Sequence, residues 1–385
     1  MASDSLLDGD EPTEAWSREH LVLAEATASE ADGPAVTVVV PAFDVAPFVV
    51  RCLESVRAQT LADLECLIVE DCSTDDTLAV VEHWLATTGD RRFRLVRQPS
   101  NQGVALARNT ALREARGRYV AFVDSDDWFD PDFLAVLHER AETTGADVVG
   151  SGWRRPGPDG KIHQRVSPRG KNRYYVFQIG AVWAKLHRTD FLRRHQIEFY
   201  TDNTYAEDLS FGAHELVHTD RIELVDYVGY NYFLNETSVS FQSHPRFGHQ
   251  GRDPIVFLEH LLALESRPGT VAFDRELFRY FSYRVFFSFV LLCGRGWTPA
   301  QLLDLIRRFD TFMLKAYGPT ALWRNRYLPW GGPDEPLVGR TMIAGVWLLR
   351  RLGLMPVFAR LYCRARPADH VQDEATTIPA TAVGR

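Results

Sequence analysis

Acidic side chains concentrate at three points in the first third of this 385-residue chain. Asp44 follows one short apolar run, Glu70 and Asp71 follow a second, and Asp124 and Asp126 follow a fourth. Carboxylates this close together repel one another, and a hard divalent cation such as Mg²⁺ or Mn²⁺ offsets that repulsion. Because one or two carboxylates usually hold such a cation together with phosphate oxygens, the pattern predicts a diphosphate substrate.

The segment after the first apolar run carries groups that suit a nucleobase. Pro41 is expected to end the strand and to place the Phe43 ring and the Asp44 carboxylate at its rim. A flat ring beside a hydrogen-bond acceptor fits a base. The alternative is a plain turn in which Asp44 caps the following helix.

Glu70 and Asp71 open a segment with four acids in seven residues. Part of this segment serves helix capping, because Ser73 or Thr74 can cap the next helix and acids there favour its positive end. Capping leaves Glu70 and Asp71 without a structural task. We therefore expect their carboxylates to accept hydrogen bonds from a base N–H group and from ribose hydroxyls.

The last acidic segment, residues 124–127, is predicted to bind the metal, and an acidic turn that caps a helix at Pro131 is the alternative. Arg108 belongs to a helix predicted just before this segment. It either reaches the diphosphate or buttresses the acidic rim. The alternative is a solvent-exposed surface arginine without a role in the site.

Short β-branched runs alternate with amphipathic stretches between Val36 and Val149. The predicted strands are Val36 to Val40, Cys66 to Val69, Phe93 to Val96, Tyr119 to Val123 and Asp147 to Val149. The predicted helices are Pro47 to Gln59, Asp75 to Ala86, Val104 to Ala115 and Pro131 to Thr143. Such alternation predicts an α/β fold with a mostly parallel sheet flanked by helices. Ligands of these sheets bind beyond the carboxyl ends of the strands, where the acids stand.

Composition divides the chain into four predicted parts. Residues 1–34 form an acidic leader that we expect to be disordered, and residues 35–245 form the α/β domain. Residues 246–366 form a helical C-terminal region, and residues 367–385 form a flexible tail. The helical region includes predicted helices at Pro254 to Leu264, Glu276 to Leu292 and Pro299 to Tyr317.

Charge and cysteine content exclude some classes of protein. The formal net charge of −8 argues against a protein that binds nucleic acid by neutralising phosphates. The five cysteines are scattered without the spacing of a zinc site or a disulfide framework, and the N-terminus lacks the pattern of a secretory signal. No apolar run reaches the roughly 20 residues that cross a membrane. These features predict a cytoplasmic protein without a nucleic-acid partner.

With these motifs in order, the chain resembles the family-2 glycosyltransferases of the GT-A fold over roughly Val36 to Phe241. Residues 38–44 are similar to the family's opening strand and Pro-x-Tyr-Asn turn, and residues 52–60 to the helix and Gln-Thr that follow it. Residues 69–75 resemble its Val-Asp-Asp-Gly-Ser-Thr-Asp segment, with Glu70 in place of Asp and Cys72 in place of Gly. Residues 101–109 and the Asp-x-Asp at 124–126 complete the donor half.

The resemblance implies a nucleoside-diphosphate sugar as donor, with a UDP-sugar expected, and a divalent cation, Mn²⁺ or Mg²⁺, on Asp126 and Asp124. The residues implied to bind the donor are Pro41, Phe43, Asp44, Glu70, Asp71, Arg108, Asp124, Ser125 and Asp126.

In the second half, Trp183 to Arg188 resembles a Lys-Leu-Tyr-Arg stretch of polysaccharide-building members. Glu207-Asp208 resembles the family's Glu-Asp motif at a helix start. The resemblance implies that Asp208 is the catalytic base, and a helix N-cap is the alternative. Tyr230 to Phe233 lacks the arginine that commonly follows the second tyrosine in the family.

The expected activity is metal-dependent, inverting transfer of a hexosyl or N-acetylhexosaminyl group in polysaccharide, cell-envelope or glycoconjugate synthesis. The acceptor is a hydroxyl of a glycan, a lipid-linked sugar or a small molecule, bound by loops between Gly150 and Tyr205. One alternative is a sugar nucleotidyltransferase, although residues 43–47 contain neither the glycine nor the basic residue that its phosphate loop needs. The second alternative is a non-catalytic scaffold that binds nucleotide sugars. Such a scaffold would be indicated by loss of Asp124, Asp126 or Asp208, and all three are present.

The end of the helical region combines apolar and basic residues. Arg340 to Arg351 is apolar with basic edges, and Leu352 to Arg366 repeats this character. Either these helices lie on the inner, anionic face of the membrane, or they pack on the catalytic domain or form a homo-oligomer.

Overall fold

The computed structural model describes residues 33–157, 159–169, 171, 181–201, 207–233, 297–319 and 337–365, together with six single residues between 255 and 286. The predicted tail and all but the last two residues of the predicted leader lie outside the described residues. Most residues of the predicted helices Pro254 to Leu264 and Glu276 to Leu292 also lie outside the described residues. The domain boundaries proposed from the sequence therefore stay predictions.

Nine strands form one sheet in the described part of the chain. They are β1 (Val36–Ala42), β2 (Leu64–Glu70), β3 (Phe93–Arg97), β4 (Tyr119–Phe122), β5 (Trp128–Phe129), β6 (Val148–Pro156), β7 (Ile162–Val166), β8 (Lys185–Arg188) and β9 (Ile222–Asn231). Their order is β3-β2-β1-β4-β8-β6-β9-β5, with β7 paired to β6.

The first half of the sheet is parallel, as the alternating pattern predicts. Strand β1 pairs in parallel with both β2 and β4, and β2 pairs in parallel with β3. The second half is mixed, because β8 lies between β4 and β6 and runs antiparallel to both. Strand β8 has only four residues, three of them basic or histidine, so its sequence lacks a strand pattern.

Nine helices are bounded in the described part of the chain. They are α1 (Val49–Arg57), α2 (Thr77–Thr88), α3 (Val104–Glu114), α4 (Phe133–Thr144), α5 (Thr189–Arg194), α6 (Glu207–His218), α7 (Pro299–Tyr317), α8 (Leu337–Arg351) and α9 (Met355–Ala365). Of these, α7 has the bounds expected from the sequence. Its start is fixed by a capping box between Thr298 and Gln301, with a proline in the first turn.

Both faces of the sheet are buried, each in its own apolar cluster. Successive residues of a strand point to opposite faces, so Val38 of β1 belongs to one cluster and Val39 to the other. Helices α1, α2 and α4 cover the first face. Helices α3 and α6 cover the second face together with α7, α8 and α9. This two-sided burial explains why β1, β2 and β4 are almost continuously apolar.

The C-terminal helices share the core of the second sheet face. Phe309 of α7, Ile343 of α8 and Met355 of α9 are buried in the same cluster as Phe122 of β4. Within the described residues, none of the helices combines the length and the apolar content needed to span a bilayer.

Candidate active site

The carboxyl ends of β1, β2 and β4 lie side by side at one edge of the sheet. Ala42 is in register with Glu70, and its carbonyl accepts the Asp71 N–H at 2.9 Å. Val39 is in register with Phe122, after which the chain enters the acidic turn 124–127. The three acidic segments therefore meet at one edge, as the strand order predicts for a ligand site.

Strand β1 continues through Pro41 instead of ending there. The Val39 carbonyl faces β4 and accepts the Val123 N–H at 3.1 Å. Pro41, two residues further, faces the same side, but the ladder with β4 has already ended at Phe122. Because no partner strand remains on that side, the missing N–H of Pro41 costs no ladder bond, and pairing with β2 extends to Ala42.

Phe43 is half-buried and Asp44 is exposed at the rim after β1. Asp44 has a left-handed φ of 50°, and its carboxylate accepts the N–H groups of Thr74 at 2.7 Å and Asp75 at 3.3 Å. The alternative of a helix cap is wrong, since α1 is preceded by Phe48 and has no side-chain cap. Asp44 instead ties the end of β1 to the loop after β2.

Glu70 and Asp71 both have structural partners, so the expectation that they lack a structural task was wrong. The Asp71 carboxylate accepts the N–H groups of Gln102 at 2.8 Å and Gly103 at 2.7 Å, at the start of α3. The Glu70 carboxylate is buried and accepts the Ser73 N–H at 2.6 Å. These bonds shape the loops at the rim, and contact of either acid with a nucleoside stays a prediction.

The turn after β4 separates its acids by burial. Asp127 is fully buried, and its two carboxylate oxygens accept the Tyr230 hydroxyl at 2.6 Å and the Phe233 N–H at 2.7 Å. Burial raises the pKa of Asp127 well above its usual value, and the charges of Asp124 and Asp126 add to this effect. Asp127 is therefore the structural acid of the turn, whereas Asp124 and Asp126 are half-buried and reach solvent.

Arg51 of α1 places a positive charge against the same turn. Its Nη2 donates to the Asp126 carbonyl at 2.7 Å, and its guanidinium lies 3.9 Å from the centre of the Trp128 ring. Burial lowers the pKa of Arg51, while the acids of the turn oppose that shift. Ser125, predicted to help bind the donor, is buried within this turn.

Arg108 of α3 joins acids from the two halves of the domain. Its Nη2 donates to Asp124 Oδ1 at 2.8 Å, and its Nη1 donates to Asp208 Oδ1 at 2.7 Å. The Arg108 side chain is only 4% exposed, and its guanidinium carbon lies 5.3 Å from the centre of the Phe199 ring. Arg108 therefore buttresses the acidic rim, and the alternative of a surface arginine is wrong.

Glu207 and Asp208 stand in the first turn of α6. Burial raises the pKa of Asp208, and the nearby Arg108 and Lys185 charges lower it. Burial and the Asp208 charge raise the pKa of Glu207 to about 7, against the opposing effect of Arg108. Because Asp208 is the second residue of α6, it lies inside the helix and does not serve as its N-cap.

A buried lysine lies on the acceptor side of the cluster. Lys185 of β8 is 1% exposed, and burial lowers its pKa to about 8, while the charges of Glu215 and Asp208 raise it. Glu215 also pairs with His187, whose Nδ1 lies 2.5 Å from Glu215 Oε1. Lys185 adds a positive charge near Asp208. The resemblance of Trp183 to Arg188 to a Lys-Leu-Tyr-Arg stretch did not predict this role.

The acidic turn fits a divalent cation that arrives with a diphosphate. The described residues contain no group of three or more His, Cys, Asp or Glu side chains that could hold a metal ion by themselves. The carboxylates of Asp124 and Asp126 are the hard ligands that the turn could offer to such a cation, and Asp124 also accepts a hydrogen bond from Arg108. Mg²⁺ and Mn²⁺ commonly take only one or two carboxylates and complete their coordination with phosphate oxygens and water.

Sequence patterns missed three side chains of this site. Arg51 and Lys185 lie in a helix and a strand whose local sequences do not distinguish them from solvated basic residues. The segment from Tyr230 to Phe233 is similar to a family motif, but the bond from Tyr230 to Asp127 joins residues more than 100 positions apart.

Comparison with known proteins agrees with this geometry. Residues 37–199 match the model of the family described as Glycosyl transferase family 2. The uncharacterized glycosyltransferase EpsJ of Bacillus subtilis is 30% identical over 220 residues, which cover 54% of this chain and 63% of EpsJ. The succinoglycan biosynthesis protein ExoO of Rhizobium meliloti is 32% identical over 222 residues, again 54% of this chain and 63% of ExoO. The alignments thus span less than two thirds of these relatives.

The fold itself also has a solved counterpart. The structure of S. aureus TarS 1-349 in complex with UDP-GlcNAc superposes with a TM-score of 0.59 at 18% identity, covering 86% of this chain and 92% of that one. At this identity the match concerns the fold alone. Together with the match to the family model over residues 37–199 and the strand-end motifs, it indicates that this part of the chain is similar to the family-2 glycosyltransferases of the GT-A fold.

Proposed function

We propose that the protein is a metal-dependent, inverting glycosyltransferase that moves a sugar from a nucleoside-diphosphate sugar to an acceptor hydroxyl. The observation that carries this proposal is the Arg108 bridge between Asp124 and Asp208. Asp124 lies in the turn after β4 of the donor half, and Asp208 lies in the first turn of α6 in the acceptor half. The buried guanidinium of Arg108 donates one hydrogen bond to the proposed diphosphate-binding edge and one to the proposed base.

The chemistry is a single displacement. The acceptor oxygen bonds to the anomeric carbon, while the bond from that carbon to the diphosphate oxygen breaks and the electron pair leaves with the diphosphate. The acceptor proton passes to Asp208, whose burial raises its pKa and makes it a better proton acceptor. Attack from the face opposite the leaving group inverts the anomeric configuration, and no covalent intermediate with the protein forms.

The positive charges around Asp208 favour its ionised form. Burial alone would favour the neutral acid, which cannot accept a proton. Arg108 and Lys185 oppose burial and lower the pKa of Asp208. The net effect is a pKa of Asp208 above that of a solvated aspartate, so Asp208 is the more basic carboxylate.

A divalent cation bound to Asp126 and Asp124 would stabilise the negative charge that develops on the leaving diphosphate. Arg51 adds positive charge at the same turn through its contact with the Asp126 carbonyl. Asp127 is occupied by Tyr230 and Phe233, so we assign it no contact with the cation.

The donor is expected to lie across the ends of β1 and β2. Its nucleoside would meet the Phe43 ring and the rim that Asp44, Glu70 and Asp71 shape through their loop bonds. TarS, which has the same fold, was crystallised with UDP-GlcNAc, and UDP-hexoses and UDP-N-acetylhexosamines are therefore the first donors to test. The name of ExoO, a succinoglycan biosynthesis protein, supports a role in polysaccharide synthesis. Cytoplasmic location stays a prediction.

The proposal is tested by incubating purified protein with Mn²⁺, a panel of nucleotide sugars and a broad acceptor panel. We expect release of nucleoside diphosphate and a glycosylated product of inverted anomeric configuration. Release of pyrophosphate would identify a sugar nucleotidyltransferase instead. Donor binding without turnover over all acceptors would identify a non-catalytic scaffold.

A further inference from the structure

Helices α8 and α9 have one buried side and one open side. On the buried side, Ile343, Val346, Met355 and Ala359 pack into the cluster that covers the second face of the sheet. The predicted packing of these helices on the catalytic domain is therefore present. This packing leaves several large side chains between Leu348 and Arg364 exposed on the opposite side, which is called the open side below.

The open side exposes large apolar side chains at a density that is rare on a protein surface. Leu352 is 60% exposed and Leu361 is 63% exposed. Leu348, Leu354 and Val357 are also exposed between and beside them. All five residues lie between positions 348 and 361, in two consecutive helices and their short connection. A contiguous exposed patch of leucines marks an interaction surface, whereas scattered exposed leucines do not.

Positive charge surrounds this patch. Residues 337–365 contain five arginines and no acidic residue, in a chain whose net charge is −8. Arg350 is buried and pairs with Asp310, but Arg351, Arg360 and Arg364 are exposed. Arg360 and Arg364 lie one turn apart on α9, next to Val357 and Leu361. Among the described residues, no carboxylate pairs with these three arginines.

We propose that the open side of α8 and α9, defined by the exposed residues between Leu348 and Arg364, docks on a bilayer that contains anionic lipids. The exposed leucines would enter the boundary between headgroups and acyl chains, and the arginines would meet the lipid phosphates. A second copy of the chain is a poor occupant. A two-fold interface would bring the same unneutralised arginines of both copies together, and like charges oppose such contact.

This inference goes beyond the proposed transfer reaction and does not depend on it, because lipid binding is measured without donor or acceptor. The test is flotation of the full-length protein with vesicles of phosphatidylcholine alone or with an equal part of phosphatidylglycerol. We expect binding to the mixed vesicles and little binding to the neutral ones. Raising the salt concentration should weaken binding to the mixed vesicles.

Two sets of substitutions separate the apolar and the basic contributions. The triple change Arg351→Gln, Arg360→Gln and Arg364→Gln should weaken binding to mixed vesicles roughly 100-fold, since each juxtamembrane arginine contributes about fivefold. The pair Leu352→Ser and Leu361→Ser should weaken it about tenfold or more. The control is Ile162→Ser on β7, an apolar residue that is 48% exposed and should not affect binding.

All substituted side chains are exposed, so their thermal unfolding should match that of the parent protein, which separates loss of binding from loss of folding. The proposal would be overturned by parent protein that stays unbound to mixed vesicles, by equal binding to neutral ones, or by variants that bind like the parent. It would also be overturned by a second pair of results. Light scattering would show that the parent is a dimer and that the Leu352→Ser, Leu361→Ser variant is a monomer, while both proteins bind vesicles equally.

Discussion

Substitution of Arg108 by methionine removes the positive charge that the two acidic groups of the site share. Arg108 donates to Asp124 and Asp208 at 2.8 and 2.7 Å and is 4% exposed. Removing one partner of a buried ion pair costs about 3–5 kcal/mol. Because the Asp124 side chain is 29% exposed and can be solvated, we expect a loss of about 3 kcal/mol in the free energy of unfolding at neutral pH.

The loss in the free energy of unfolding should become smaller as the pH falls. In the folded protein burial raises the pKa values of Asp208 and Glu207, and Arg108 opposes that rise in both. The Arg108→Met protein therefore binds protons at higher pH in its folded state than the parent does. As the pH falls from about 8 to about 5.5, these acids become neutral and the deficit shrinks.

Urea denaturation at both pH values measures this deficit. The control is Arg94→Met, because the pair between Arg94 and Glu114 is 39% and 45% exposed and should contribute less than about 1 kcal/mol. A loss for Arg108→Met no larger than that of the control would refute the assignment of Arg108 as a buried bridge. A deficit that stayed constant, or grew, on acidification would refute the electrostatic reasoning.

Two further predictions concern the acceptor side and the donor rim. Lys185→Met should move the acid limb of the pH profile of kcat to higher pH by roughly half a unit to one unit, because the Lys185 charge lowers the pKa of Asp208; an unchanged limb would show that Lys185 does not act on the base. Asp71→Ala should lower the free energy of unfolding by about 1–2 kcal/mol, because it removes both hydrogen bonds at the start of α3, and Asp71→Asn should retain part of that stability. Equal stability of the alanine variant and the parent in urea denaturation would contradict this structural role of Asp71.

The parallel half of the fold could be predicted from the sequence because its signal is local. Strands β1 to β4 are short apolar runs followed by amphipathic helices, and both faces of that half are buried. Strand β8 could not be found in this way, since Lys185, His187 and Arg188 give it no apolar alternation. Its position depends on pairing with β4 and β6, which are about 40 to 70 residues away along the chain.

The sequence predicted that the acids meet at one edge of the sheet, but it did not predict the structural role of each acid. Carboxylates at neighbouring strand ends meet at one edge whichever residues they pair with. Sequence spacing does not reveal that Asp127 is buried against Tyr230, or that Asp71 binds the loop just before α3. Helix α2 shows the same limit, because Asp75, and not Ser73 or Thr74, accepts the Thr77 N–H at 2.9 Å. These choices follow from tertiary contacts.

Donor binding and sugar transfer by the Asp208→Asn protein, measured in parallel with Asp126→Ala, test whether Asp208 is the base. The asparagine oxygen can still accept from Arg108, so the cluster should persist. We predict that Asp208→Asn binds the donor like the parent and loses transfer by roughly 100-fold or more, whereas Asp126→Ala loses metal-dependent donor binding. Normal transfer by Asp208→Asn would contradict the account, because the acceptor proton would then have another destination.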